Sequence, residues 1–261
     1  MNIDFKRGWL SRSAKETDKI MLYRFFSYNS NSLGPLICGG LYFSSPKDFN
    51  DSFDCDFRMM PTAIEKQLGI SWDDAVEESK ADVRKIGIAC FTPHWNNSLM
   101  WAHYADKFRG FCLGFEFDNP LSRNSNLDDI FKTYRGRPYH TLEYWLHEMI
   151  YANHDEYPTM ASFSFDETEE EMPEAILRYK AFDWQYEHEV RLSFLGGEGV
   201  HPIPGNFKEV YFGLRMDDEK KRVLISILGK HNPMFYNTKK SSPLISSEKR
   251  WGFCGARSKR R

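Results

Sequence analysis

Two glutamates and one arginine alternate along a short segment of the chain, at Glu187, Glu189 and Arg191. The positions between them are mostly apolar, so the pattern predicts a strand over residues 187–194. Successive side chains of a strand point to opposite faces, which places the two carboxylates and the guanidinium on one face. Carboxylates in this arrangement can stabilise a positive charge or accept a proton. Repulsion between the two negative charges raises the pKa of at least one of the glutamates unless the positive charge of Arg191 offsets it.

A solvent-exposed strand face explains the same pattern without any chemistry. In that interpretation Arg191 pairs with Glu189, and a partly exposed pair of this kind contributes about 1 kcal/mol or less to stability. Burial of the charges would instead point to function, because buried charges are costly unless they have partners. The spacing alone leaves both interpretations open.

Two further groups of residues could contact a ligand. Arg24 follows Tyr23 in an otherwise apolar segment, where its guanidinium could form a structural salt bridge or hold a phosphate. Met100, His103 and Tyr104 lie near one face of a predicted helix. His103 could act as a base or a ligand, or it could be an ordinary hydrogen-bonded histidine.

The irregular alternation of the predicted elements indicates an α+β fold. Strands are predicted over residues 21–26, 41–44, 86–91, 111–117, 187–194 and 209–213. Helices are predicted over residues 33–38, 71–85, 98–107 and 217–229, with further helical stretches around 142–151 and 173–179. We expect a lead-in over 1–20, a single catalytic domain over 21–235 and a basic tail over 236–261. The motifs GxGxxG, GxxxxGKS and GxxxxGKT do not occur, so a Rossmann domain or a P-loop has no support.

Composition and charge are those of an ordinary globular protein. Hydrophobic residues make up 41% and charged residues 28%, and the formal net charge is −2. Positive charge is concentrated after residue 238, where eight lysines and arginines accompany Glu248 as the one acidic residue. This basic tail could bind phosphates nonspecifically or could simply be solvated.

The five cysteines are widely spaced and form no CxxC pair, which argues against a zinc site and a disulfide framework. No apolar leader is evident at the N-terminus, and no stretch approaches the roughly 20 apolar residues that a membrane helix requires. The sequence therefore predicts reduced cysteines, no bound metal, no membrane partner and a cytoplasmic location.

Short motifs occur in a fixed order along residues 21–215. They are Leu22-Tyr23-Arg24, the segment from Leu41 to Asp51, Cys90-Phe91-Thr92, Met100 to Ala105, Gly110 to Phe115, and Lys180 followed by Trp184 to Arg191. As a set they resemble the bacterial domain-of-unknown-function family 2971. Their order also resembles a divergent ADP-ribosyltransferase, in which a first strand bears Tyr and Arg and a late strand bears Glu-x-Glu. The resemblance implies split β-sheets with surrounding helices and NAD bound between two small sheets.

The resemblance also implies roles for individual residues. The NAD-binding positions would be Tyr23, Arg24, Ser44 and Tyr104, and the catalytic glutamate would be Glu189, with Glu187 as its companion. The chain departs from the best-known pattern because its second strand reads Tyr-Phe-Ser-Ser-Pro rather than Ser-Thr-Ser. An acidic segment at 164–174 and the residues after 216 have no counterpart in that pattern.

Three functions compete. The first is an NAD-dependent ADP-ribosyltransferase that consumes NAD to modify a macromolecule, as a toxin or anti-phage effector with an antitoxin partner. The basic tail favours a nucleic acid such as RNA over a protein as the acceptor. The second is a nuclease-like hydrolase in which the acidic cluster binds a divalent metal. The third is a noncatalytic module that binds RNA or protein.

Overall fold

The computed structural model describes residues 19–55, 80–118, 144–153, 176–202, 205–241 and 244–250, together with residues 67, 69, 77, 156 and 157. The chain divides into two compact units, each assembled from separate stretches of sequence. The described residues of unit 1 come from Tyr42–Cys90 and Arg123–Val200. Those of unit 2 come from Ser13–Leu41, Phe91–Ser122 and His201–Arg261.

The elements with described bounds are mainly short strands. The strands are β1 (Lys19–Phe26), β2 (Leu41–Phe43), β3 (Gly87–Phe91), β4 (Phe111–Asp118), β5 (Tyr144–Glu148), β6 (Ile150–Ala152), β7 (Tyr179–Ala181), β8 (Val190–Phe194), β9 (Gly199–His201), β10 (Asn206–Phe212), β11 (Met234–Ser241) and β12 (Leu244–Arg250). The α-helices are α1 (Ser30–Ile37), α2 (Ser98–Tyr104) and α3 (Asp218–Leu228). Short 3-10 helices cover Pro46–Asp48, Phe182–Glu187 and Gly229–His231.

Unit 2 is built on a five-stranded sheet with the strand order β1-β4-β10-β11-β12. Its neighbours are antiparallel except for β10 and β11, which are parallel. A parallel pair needs a crossover connection, and α3 lies between β10 and β11 in the sequence to provide it. On one face of the sheet, Tyr23 and Phe25 of β1 pack in a hydrophobic cluster with the buried Trp101 of α2.

Unit 1 contains a three-stranded sheet with the strand order β3-β8-β5. In its antiparallel pair β5 and β8, His147 lies opposite Arg191. Strands β6 and β7 form a separate parallel pair, and the 3-10 helix Phe182–Glu187 follows β7 directly. Ile88 of β3 and Leu177, which precedes β7, belong to one buried hydrophobic cluster. This arrangement brings the segment before β7 against the three-stranded sheet.

The predicted α+β class is confirmed, and strands lie at five of the predicted positions, near residues 21–26, 41–44, 86–91, 111–117 and 209–213. The helix expected around 142–151 is wrong, because β5 and β6 occupy this segment. Aromatic and β-branched residues, which suit strands, outweigh the helical spacing there. The helix expected over 98–107 ends earlier, at Tyr104, because residues 106–108 adopt left-handed φ angles.

Some predictions fall largely outside the described residues. The helix expected over 71–85 is described as helical at 80–83, and the stretch 173–179 is helical at 176–178 before β7 begins. The proposed tail boundary at residue 236 falls inside β11, and the domain boundaries stay a prediction.

None of the described helices has the length and apolar character that spanning a bilayer requires. Cys38, Cys55, Cys90 and Cys112 are free thiols, and Cys254 lies outside the described residues.

Gly110, which precedes β4, provides a test of the packing in unit 2. A Cβ atom at this position would lie 2.0 Å from the backbone oxygen of Phe26, so the backbone would have to move. We expect Gly110→Ala to lower the free energy of unfolding by about 1–3 kcal/mol, as overpacking does. Gly229, at the end of α3, has helical angles and open space around it, so Gly229→Ala should change stability by less than about 1 kcal/mol. Equal denaturation midpoints for both variants would contradict the described packing.

Candidate functional site

Five charged side chains are buried together in unit 1. They are Asp54, Lys180, Glu187, Glu189 and Arg191, and each is at most 6% exposed. The interpretation of this segment as a solvent-exposed strand face is therefore wrong. Burial of charges is costly, so the contacts among the five determine whether the arrangement is stable.

Lys180, in the middle of β7, connects the two glutamates. Its Nζ atom donates hydrogen bonds to Oε2 of Glu187 and Oε2 of Glu189, both at 2.7 Å. It also lies 3.5 Å from Oδ2 of Asp54 and 5.3 Å from the ring centroid of Trp184. The ammonium group is thus surrounded by three carboxylates and one aromatic face.

Arg191 of β8 closes the other side of the cluster. Its Nε donates to Oε1 of Glu189 at 2.8 Å, which confirms the expected pair. Its Nη2 donates to both carboxylate oxygens of Asp54, at 2.7 and 2.6 Å. Its Nη1 donates to the backbone oxygen of Leu177 at 3.0 Å and contacts the Cys55 sulfur at 3.1 Å. Every nitrogen of this fully buried guanidinium therefore has a partner.

The local chain path differs from the predicted strand over 187–194. Glu187 ends the 3-10 helix Phe182–Glu187, and His188 has a left-handed φ of 46°. Strand β8 begins only at Val190. Glu187 therefore reaches Lys180 from the end of a helical turn rather than from the strand face. Glu189 is held from its backbone, because its amide donates to the Tyr151 hydroxyl at 2.7 Å.

The contacts keep the central groups charged. Burial by itself would raise the pKa of Glu189, but the positive charges of Arg191 and Lys180 outweigh it and hold that pKa below its usual range. Burial would lower the pKa of Lys180, whereas Glu189, Asp54 and Glu187 raise it above its usual value. The pKa of Arg191 is likewise raised, since Glu189 and Asp54 outweigh its burial. The ionised forms are thus favoured.

Glu189 lies at the centre of the cluster. Its carboxylate accepts hydrogen bonds from both cations, from Lys180 through Oε2 and from Arg191 through Oε1. A buried negative charge costs free energy unless something positive offsets it. The buried Glu189 carboxylate, kept ionised by its two cations, makes the cluster a candidate site for stabilising a positively charged group.

Two polar side chains next to the cluster lack hydrogen-bond partners within the described residues. They are His147, with both ring nitrogens buried, and Ser193, with its buried hydroxyl. Burial, followed by the nearby charges of Arg191 and Arg178, lowers the pKa of His147 to about 3. His147 is therefore neutral at physiological pH.

The residues expected to bind NAD are distributed over both units. Ser44 lies in unit 1, where its backbone pairs with that of Ile88. Tyr23 and Tyr104 lie in unit 2 and share one hydrophobic cluster, and the Tyr23 hydroxyl donates to Glu209 at 3.0 Å.

Arg24 follows Tyr23 in β1, so the two side chains point to opposite faces of the sheet. The guanidinium of Arg24 lies 5.4 Å from the ring centroid of Phe26.

Sequence reasoning missed several members of the cluster. Lys180 lies in one of the motifs, and a lysine between Tyr179 and Ala181 needs a partner when it is buried, which is the one signal of its role in the sequence. Asp54 lies in a loop after Phe53, where an aspartate carries no signal of burial. Tyr151 lies in a segment expected to be helical, so its position beside Glu189 could not be anticipated.

Comparison with known proteins gives one match. Residues 100–192 match the family described as "Protein of unknown function (DUF2971)". This range includes Lys180, Glu187, Glu189 and Arg191, and it supports the expected similarity to an uncharacterised family over that part of the chain. No characterised protein and no solved structure matches the chain significantly.

Removal of the Lys180 ammonium should destabilise unit 1 strongly. Lys180→Met leaves Glu187 and Glu189 buried without their shared cation, and breaking a buried pair costs about 3–5 kcal/mol. Lys85 is a matched control, since it pairs at 2.7 Å with Asp82 on the surface. Lys85→Met should cost about 1 kcal/mol or less, as exposed pairs do. Similar unfolding free energies for the two variants in urea would contradict the burial of the cluster.

His147 should make stability fall below neutral pH. The folded chain keeps this imidazole neutral down to a pKa of about 3, whereas the unfolded chain binds its proton near pH 6.5. Between these values the unfolded state binds more protons, so stability decreases as the pH is lowered, by at most about 1.4 kcal/mol per pH unit.

The test compares melting temperatures between pH 7 and pH 4.5. Most aspartates and glutamates stay ionised in this range, so their protonation contributes little to the change. His147→Phe should reduce the loss of melting temperature on acidification, because the titrating group is gone. His103→Phe, at an exposed position, should keep the wild-type slope. An unchanged slope in His147→Phe would show that this imidazole is already accessible to protons in the folded chain.

Proposed function

We propose that the chain is an NAD-dependent ADP-ribosyltransferase whose catalytic carboxylate is Glu189. The observation that carries the proposal is the buried, ionised carboxylate of Glu189, held at the centre of the cluster between Lys180 and Arg191. Cleavage of NAD between nicotinamide and ribose builds positive charge on the ribose, as glycoside cleavage does. An ionised carboxylate in a water-poor site is suited to stabilise that charge.

The proposed reaction has two bond changes. The bond between the nicotinamide nitrogen and the C1′ atom of the ribose breaks, and its electron pair leaves with the nicotinamide. The nucleophile of the acceptor then bonds to C1′, and its proton passes to the Glu187 carboxylate as a general base. Since Glu189 is only 4% exposed, access to the ribose requires its bond from Lys180 to open. Lys180 then stays paired with Glu187.

The remaining roles follow the resemblance. Tyr23 and Tyr104 supply aromatic faces for NAD, and their shared cluster in unit 2 is consistent with that role. The resemblance also gives Arg24 the pyrophosphate, for which a guanidinium fork is suited, although its side chain points to the face of β1 opposite to Tyr23. Ser44 takes the polar position of the second strand. A nucleic acid such as RNA is the proposed acceptor, and a toxin or anti-phage effector with an antitoxin partner is the proposed setting.

The contacts of Glu189 favour this reaction over a metal-dependent hydrolase. Its Oε2 accepts a bond from Lys180 and its Oε1 accepts one from Arg191. A divalent metal would have to displace these cations to bind the carboxylate. A hydrolase would lose activity in a chelator, whereas the proposed transferase would keep it.

The test uses NAD labelled on its adenylate phosphate, incubated with the chain and separate pools of protein, DNA and RNA. We expect nicotinamide release and label in the nucleic acid pool. Glu189→Gln should slow release by about 100-fold or more, because one preorganised charged group is lost. The variant should still fold, because Lys180 keeps Glu187 and Arg191 keeps Asp54. A melting curve checks this.

Two further variants separate the roles. Glu187→Gln should reduce transfer to the acceptor more than hydrolysis of NAD by water, because its proposed partner is the acceptor proton. Glu198→Gln removes a glutamate that pairs with Lys47 at the surface of the same unit, and it should leave both rates unchanged. Full activity of Glu189→Gln, or no consumption of NAD with any pool, would overturn the proposal.

A further inference from the structure

Three aromatic rings form a stack on one face of the unit 2 sheet. Trp95 stacks on Tyr211 with ring centroids 4.5 Å apart and planes at 12°, and Tyr211 stacks on Tyr236 at 4.7 Å and 13°. Tyr211 is 4% exposed, whereas the two outer rings are partly exposed. Within the described residues, no other ring stacks on the outer faces of Trp95 and Tyr236. We call these three residues the ring stack.

The fold holds the ring stack rigidly. Tyr211 and Tyr236 are register partners on the parallel strands β10 and β11, so their rings lie side by side on one face. Trp95 is fixed by the buried Trp101, whose Nε1 donates to the Trp95 backbone oxygen at 2.7 Å. Rings held in this way lose little conformational freedom when a flat ligand stacks on them.

An exposed lysine lies on the same face of the sheet as the ring stack. Lys240 is exposed and lies four residues after Tyr236 in β11, so the alternation of the strand places both on one face. The nearby carboxylate of Glu209 accepts hydrogen bonds from the hydroxyls of Tyr23 and Tyr211, both at 3.0 Å, which hold it against the inner ring of the stack.

We infer that the ring stack and the exposed Lys240 of β11 form a binding surface for single-stranded nucleic acid. Exposed bases stack on aromatic faces whatever their sequence, and lysines pair with the phosphates between them. A duplex offers no such free base faces, because its bases already stack on each other. The inference rests on the proposed function only for the identity of the acceptor, since binding itself requires no NAD.

The experiment measures binding of a labelled oligouridine strand to the full chain by fluorescence anisotropy, without NAD. Trp95→Ala and Tyr236→Ala should each weaken binding roughly 5- to 100-fold, the range for loss of one stacked base. Tyr236→Phe keeps the ring, so its affinity for the strand should stay within about twofold of wild type.

Lys240→Gln should reduce the slope of log affinity against log salt by about 0.7, the value for one phosphate contact on a single strand. Lys85→Gln, on an exposed lysine of unit 1, should leave that slope unchanged.

Several results would overturn the inference. These are equal affinity for a duplex of matching length, wild-type affinity in both alanine variants, and no binding of any strand. The last result would favour a protein as the partner of this surface. Lys240→Gln alters only an exposed side chain, so it tests the surface even if Trp95→Ala fails to fold. Nicotinamide release into water, measured without the strand, reports on the proposed function separately.

Discussion

The contact of the Lys180 ammonium with Glu187 and Glu189 is the interaction on which unit 1 depends. It joins β7, the end of the following 3-10 helix and the residue before β8 through two hydrogen bonds of 2.7 Å. Arg191 extends the contact to Asp54, so a loop far away in sequence is fixed to the same point. Each cation is costly to bury alone, and each is paired with more than one carboxylate.

The position of Glu189 connects this structure to the proposed chemistry. Glu189 shares both of its cations with other carboxylates, Lys180 with Glu187 and Arg191 with Asp54. The Glu189 carboxylate can therefore interact with an incoming cationic group while Lys180 stays paired with Glu187 and Arg191 stays paired with Asp54.

Local patterns in the sequence predicted much of the fold and part of the candidate site. Alternating aromatic residues located β1 and β4, and the pairing of Arg191 with Glu189 followed from their spacing. Contacts between distant segments could not be predicted in this way. The approach of Asp54 to Arg191 depends on tertiary packing, and the left-handed turn at His188 has no signature in a histidine. The stack of Trp95 on Tyr211 likewise joins a loop to a strand far along the chain.

The ionisation of Glu189 tests the central claim most directly. The measurement is an NMR titration of the side-chain carboxyl carbons in chain labelled with carbon-13 at glutamate, with Glu189→Gln used to assign its signal. The account predicts that the Glu189 signal stays at the ionised position well below the pH where exposed glutamates titrate, near about 4.3. A Glu189 signal that titrates together with those of the exposed glutamates would contradict the account, because the carboxylate would then not be held charged between Lys180 and Arg191.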